Sequence, residues 1–109
     1  MTVCEIAQVL QLTCIAGETG LKREVIGAYI GDVLSVAMAH AKEGEVWMTT
    51  QGHINAMAVA VLINLPAIIF VHGIHVTEEM KQVANEEGIV LLSTNKRSYE
   101  VARELVNYL

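Results

Sequence analysis

The sequence predicts a single α/β domain over residues 1–109, with a mostly parallel or mixed five-stranded sheet flanked by helices. Three observations predict it. From about residue 24 onward, short apolar runs alternate with helical patterns four times over, as βαβ units require. A chain of 109 residues can hold one core but not two. Finally, 53% of the residues are hydrophobic but only 5% are aromatic, so the core is aliphatic, built from Val, Ile, Leu, Ala and Met.

Thr2 and Glu5 have the spacing of a capping box, and Ile6, Val9 and Leu10 recur at helical spacing, so the chain opens with a helix. Thr13 to Ala16 reads as a short strand, and Gly17-Glu18-Thr19-Gly20 as a turn. A second strand is expected over Glu24 to Ile30. Asp32 can cap a helix running to about Lys42, with Gly44 as its stop. Val46 to Thr50 is the third strand, Ile54 to Asn64 the third helix, and Ala67 to Val71 the fourth strand. Thr77 caps a helix ended by Gly88, Ile89 to Ser93 is the fifth strand, and Ser98 caps a last helix carrying Tyr99, Ala102, Leu105, Val106 and Leu109. Right-handed crossovers then place the strand-to-helix loops on the carboxyl edge of the sheet, where open α/β folds bind ligands.

Composition excludes several function classes. A net charge of −5 supplies no basic face for nucleic acid and no attraction to an anionic membrane. The longest apolar stretch, Ala56 to Val71, contains Asn64 and Pro66 and is shorter than the roughly 20 residues of a spanning helix. No positive region followed by an apolar run and a cleavage site marks a secretion signal, so the protein is expected in the cytoplasm. Cys4 and Cys14 have neither metal-ligand nor redox spacing and read as reduced, mostly buried thiols. Only 17% of residues are charged and mean hydropathy is +0.44, more apolar surface than a small domain hides alone. A homodimer with an apolar interface is the expected remedy.

Chemistry-bearing residues gather at three strand ends. Thr49-Thr50-Gln51-Gly52-His53-Ile54-Asn55 passes from a strand into an apolar helix, whose first amides are free to bind a ligand. Val71-His72-Gly73-Ile74-His75 follows the next strand, and Ser93-Thr94-Asn95-Lys96-Arg97-Ser98 the last. Lys96 and Arg97 precede a helix on an acidic chain, so a phosphate or carboxylate is expected among the hydroxyls of Thr49, Thr50, Ser93, Thr94 and Ser98 and these two cations, both expected to be exposed. His53, His72 and His75 share that edge and form the basis of a second possibility, an open metal site. No H-E-x-x-H spacing or orienting carboxylate accompanies them. His40 reads as a surface residue at a helix end.

Asn55 opens the run Ala56 to Ile63 and is expected to bond a neighbouring loop, since a buried amide is costly unpaired. The run is apolar all round, which predicts a helix buried on every side or partly against a second subunit. Trp47 is expected in the core or an interface. No G-x-x-x-x-G-K-[ST], G-x-G-x-x-G or G-x-S-x-G is present, neither cysteine is placed near a histidine, and the glutamate pairs Glu78-Glu79 and Glu86-Glu87 sit at helix ends.

The run Gly27 to Ser35, then Thr49 to Asn55 with Ala58-Val59-Ala60, then Glu87-Gly88-Ile89 to Ser93-Thr94, resembles a DRTGG domain along nearly the whole chain. His53-Ile54 stands where many members carry Asp-Arg, and Val71-His72-Gly73 where they carry Thr-Gly-Gly. The chain looks most similar to stand-alone members encoded beside iron-only hydrogenase subunits, and the fold to the N-terminal domain of HPr kinase. The resemblance implies an accessory or dimerising module and makes hydrogenase-associated regulatory proteins possible partners.

The sequence thus points to a cytoplasmic, non-enzymatic regulatory or sensory module. It is expected to homodimerise, to use no cofactor, and to bind a nucleotide or phosphorylated metabolite through Thr49, Thr50, His53, Asn55, His72, Gly73, Thr94, Lys96, Arg97 and Ser98. The alternative is a metal-handling accessory protein or small metalloenzyme using the three histidines.

Overall fold

The computed structural model describes residues 1–109. In chain order the elements are α1 (Val3–Val9), β1 (Thr13–Ala16), a 3₁₀ turn at Glu18–Gly20, β2 (Gly27–Ile30), α2 (Leu34–His40), β3 (Glu45–Thr49), α3 (Ile54–Ile63), β4 (Ala67–Phe70), α4 (Glu78–Glu87), β5 (Val90–Ser93) and α5 (Ser98–Leu105). The sheet is mixed and five-stranded, in the order β1-β5-β4-β3-β2, with β1 antiparallel to β5 and every other pair parallel.

Side chains of the central strands alternate between two cores, as the two-residue period of a strand demands. Trp47, Ile68, Phe70 and Leu91 point to a layer with Ala37 of α2, Ala56, Met57 and Ala60 of α3, and Met80 and Ala84 of α4. Val46, Met48, Ile69, Val90 and Leu92 point the other way, toward Val3, Ile6 and Leu10 from the α1 segment and Val101 and Leu105 of α5. All four β4 residues are buried, hence their unbroken apolar run. No helix is long and apolar enough to cross a membrane.

The Thr2–Glu5 capping box forms as expected, Thr77 accepts from the Met80 N–H, and Gly88 ends α4 at φ +66°. Several boundaries differ from expectation, each for a local reason. β2 starts at Gly27 because Glu24 is held in a separate bridge to Thr2. Asp32 does not cap α2: the cap is Val33, with no side-chain bond, because the Asp32 carboxylate is taken by Thr49 and Thr50. α2 stops at His40, since Ala41 is extended and the Lys42 N–H goes to the Glu45 carboxylate at 2.7 Å. Ser98 is the first residue of α5 rather than its cap; Arg97 holds the cap position, and Glu100 accepts from its N–H at 3.3 Å.

α3 is not buried on every side. Ala56, Met57, Val59 and Ala60 face inward, while Ala58, Val61 and Leu62 are exposed, Leu62 by 69%. Asn55 is also exposed and needs no partner. Trp47 is fully buried and donates its Nε1–H to the Gly31 carbonyl at 2.9 Å. Cys4 and Cys14 are half-buried rather than mostly buried, and partial burial pushes the Cys14 thiol up.

The amino edge of the sheet is closed by its own chain. The Arg23 guanidinium donates to the Gly88 carbonyl at 3.2 Å, and to the Asn64 carbonyl and side-chain oxygen at 3.2 and 2.8 Å. One cation thereby satisfies the C-terminal ends of both α3 and α4, where carbonyls are unpaired and the helix dipole is negative. Gly17, at φ +75°, and Gly20 pack so closely that an added Cβ would overlap the Ile89 and Gly88 carbonyl oxygens.

Candidate functional site

At the opposite, carboxyl edge, four strand-to-helix loops are stitched to one another in strand order. Asp32, after β2, accepts from the Thr49 hydroxyl at 2.9 Å and the Thr50 N–H at 2.7 Å, both on Oδ1. The Gln51 amide donates back to the Asp32 carbonyl at 2.8 Å. Thr49 is thus buried and fully satisfied: it donates to Asp32 and accepts from the Gln51 N–H at 3.1 Å. The loop after β3 lies against the loop after β4, because the Gly52 Cα sits over the His75 carbonyl with no room for a Cβ. The loop after β4 is then pinned to the one after β5: the His72 N–H donates to the Lys96 carbonyl and the Gly73 N–H to the Thr94 carbonyl, each at 2.9 Å.

That last junction forces consecutive left-handed residues, His72 at φ +63° and Gly73 at φ +62°. Glycine adopts this region freely; histidine does so at a cost of about 1–2 kcal/mol. A Cβ on Gly73 would also meet the Asn95 side-chain oxygen, but that exposed side chain can swing aside, so the positive φ is what favours glycine there.

The Thr50 N–H, with the Thr49 and Thr50 hydroxyls and nearby His72, holds the Asp32 carboxyl below the usual aspartate range, against the opposing effect of partial desolvation. Asp32 is therefore a fixed anion at neutral pH. His53 caps α3, its Nδ1 accepting from the Asn55 N–H at 3.1 Å, which requires that nitrogen to be unprotonated. His53, His72 and His75 are all exposed, and nowhere in the chain do three or more His, Cys, Asp or Glu side chains converge as a metal site requires.

Lys96 differs from its expected exposure. Its ammonium is half-buried and donates to the Leu10 carbonyl at 2.9 Å and to Glu104 at 3.0 and 3.3 Å, so it closes the end of α1 onto α5. Arg97 is exposed, and its guanidinium has no carboxylate partner. Between the ends of β1 and β5 lies an open cleft of about 360 Å³ lined only by polar residues: Gln11, Thr13, Ser93, Thr94, Asn95 and Lys96, the last of which precedes Arg97 in the chain. Ser98 stands one residue beyond Arg97, at the start of α5.

The structure thus brings Thr49, Thr50, His53, His72, Gly73, Thr94 and Arg97 to one edge, with Asn55 at its rim. Four members of this edge escaped the sequence reading. Asp32 was legible as a polar residue after a strand but was absorbed into a helix-cap reading. Gln51 and Asn95 sat inside the quoted loops without a reason to single them out. Gln11 carries no local signal, because only the antiparallel pairing of β1 with β5 brings it to this edge.

No curated protein matches the chain. Among solved structures, the fold is similar to the CBS and DRTGG domains of the regulatory region of Clostridium perfringens pyrophosphatase, complexed with its activator diadenosine tetraphosphate, with a TM-score of 0.74 at 14% identity. The match covers 96% of this chain and 46% of that one, so the chain spans less than half of the protein it resembles. At this identity the likeness establishes the fold alone. The family model for the HPr serine kinase N terminus matches residues 48–109, which run from the end of β3 through α5 and include three of the four loops of the carboxyl edge. Matched over more than half its length, the chain belongs to the HPr serine kinase N-terminus family.

Proposed function

We propose that the protein is a non-enzymatic regulatory module of the cytoplasm, one domain over residues 1–109, that homodimerises and binds a small anionic ligand at the carboxyl edge of its sheet. The observation that carries this reading is the polar cleft between β1 and β5, lined by Ser93, Thr94, Asn95 and Lys96 of the loop that leads into Arg97 and the start of α5. The likeness to a regulatory region complexed with a nucleotide activator supports a nucleotide as the ligand. Association of two copies is supported by two exposed apolar surfaces: Ala58, Val61 and Leu62 on α3, and a groove formed by Ala28 and Ile30 of β2 with Ala102, Val106 and Leu109. The resemblance to stand-alone members makes hydrogenase-associated regulatory proteins the partners to test first.

A thermal melt tests the ligand reading. A nucleotide at a hundred times its dissociation constant adds about 2.7 kcal/mol to a protein that binds it only when folded. Arg97→Ala is expected to remove most of that gain and to leave the unliganded melt unchanged. Lys96→Ala is unsuitable as the test variant, since it also breaks the Leu10 and Glu104 contacts. A nucleotide-induced shift that survives Arg97→Ala, or no shift with any phosphorylated compound, overturns the anion site. Sedimentation at micromolar concentration tests the assembly: twice 11.9 kDa is expected for the parent, and 11.9 kDa throughout overturns the dimer.

A further inference from the structure

The carboxyl edge carries opposite chemistry at its two ends. Asp32 is anchored over the end of β3 by two hydrogen bonds on Oδ1, with the Thr50 hydroxyl also close to the carboxylate, and no hydrogen bond from the chain falls on Oδ2. His72 follows β4, and the polar cleft with Arg97 follows β5. Asp32 follows β2 but bonds the end of β3, and His72 and the Thr94–Arg97 loop follow the next two parallel strands, so the carboxylate and the end of β5 are two strand spacings apart, roughly 10 Å.

A fixed carboxylate repels phosphate and favours hydroxyl donors. The other end of the row offers neutral donors and a cation, which favour an anion. A bare phosphate uses only one end. A ligand that uses both has hydroxyls at one end and phosphate at the other, as a ribose phosphate does; dinucleotide-binding α/β folds use a carboxylate in this way to hold the ribose hydroxyls.

We propose that this edge binds a phosphorylated ribose, free or within a nucleotide, with Asp32 Oδ2 accepting from the vicinal hydroxyls and the Thr94–Arg97 loop holding the phosphate. The proposal rests on the reading of the carboxyl edge as the anion site and adds to it what the rest of the ligand must be. His72, between the two ends, lies over the middle of the ligand.

Calorimetric titration of the full chain with four probes tests it: ribose 5-phosphate, adenosine diphosphate, its 2′,3′-dideoxy analogue and inorganic pyrophosphate. The dideoxy analogue is expected to bind at least about tenfold more weakly than adenosine diphosphate, the loss of one charge-assisted hydrogen bond or more. In Asp32→Asn the amide oxygen still accepts from Thr49 and Thr50, while the free position changes from acceptor to donor. The tenfold preference is therefore expected to shrink to within about twofold. Ribose 5-phosphate binding as tightly as adenosine diphosphate identifies the sugar phosphate as sufficient; weaker binding that is still lost in Asp32→Asn assigns the site to a nucleotide. Equal binding of adenosine diphosphate and its dideoxy analogue overturns the role of Asp32, and pyrophosphate binding in that case leaves the anion site standing. Failure of all four probes overturns both readings. If Asp32→Asn does not fold, the comparison of the two nucleotides on the parent protein decides alone.

Discussion

The two edges of the sheet are built from similar materials and used differently. At the amino edge the groups that close the helix ends are engaged by the chain: Arg23 closes two helix ends, the Asn64 side chain donates to Glu43 at 2.6 Å, and the Asn85 side chain accepts from the Gly17 N–H at 2.7 Å. At the carboxyl edge the backbone is stitched just as firmly, yet the side chains of His72, His75, Asn55 and Arg97 are left exposed. A fold needs its helix ends satisfied but gains nothing from groups held out to solvent on a rigid frame. The amino edge therefore reads as stability, and the carboxyl edge is where the ligand proposed above would bind.

Substitutions that break this contrast rank by what they disturb. Gly17→Ala is expected to be the most damaging, costing about 3 kcal/mol or more, because the new Cβ meets the Ile89 backbone and the residue must keep a left-handed φ. Urea unfolding measures it; a loss under 1 kcal/mol shows that the amino edge can relax. Arg23→Ala follows, at about 2–3 kcal/mol for charge-assisted bonds to two helix C-termini. Arg23→Lys is expected to recover less than half, since a point charge cannot fork between two helices.

Changes at the carboxyl edge are expected to be smaller or opposite in sign. His72→Gly removes left-handed strain and should stabilise the fold by about 0.5–1 kcal/mol while weakening or sparing the ligand. A destabilised variant instead means that the imidazole contributes packing. The smallest effect is electrostatic. The Asp32 pKa is lowered on folding, so the unfolded chain binds more protons as pH falls through the carboxylate range. Its contribution is present above the unfolded pKa of about 4 and is lost as pH falls through the folded value. Asp32→Asn should flatten that part of the acid unfolding profile; an unchanged profile shows the carboxylate to be fully screened.

Element order, strand count and the carboxyl-edge placement of the loops were legible in the sequence, because apolar periodicity and glycine or threonine at helix ends are local signals. Side-chain roles were less so. Asp32 resembled a helix cap until β3 offered it Thr49 and Thr50, and Lys96 read as an exposed cation until α1 and α5 closed around it. Both errors have one origin: a polar group near a helix start has several partners within reach, and distant segments decide which it takes.

By itself the sequence determined the α/β class, the aliphatic core and the three loops that carry chemistry, since these follow from repetition along the chain. Only the tertiary structure decided which side of α3 is exposed, that one arginine closes two helices, and that Asp32, after β2, is anchored over the end of β3 beside the loops after β4 and β5. Those outcomes depend on strand order and on contacts between residues far apart in sequence, for which no local periodicity carries a record.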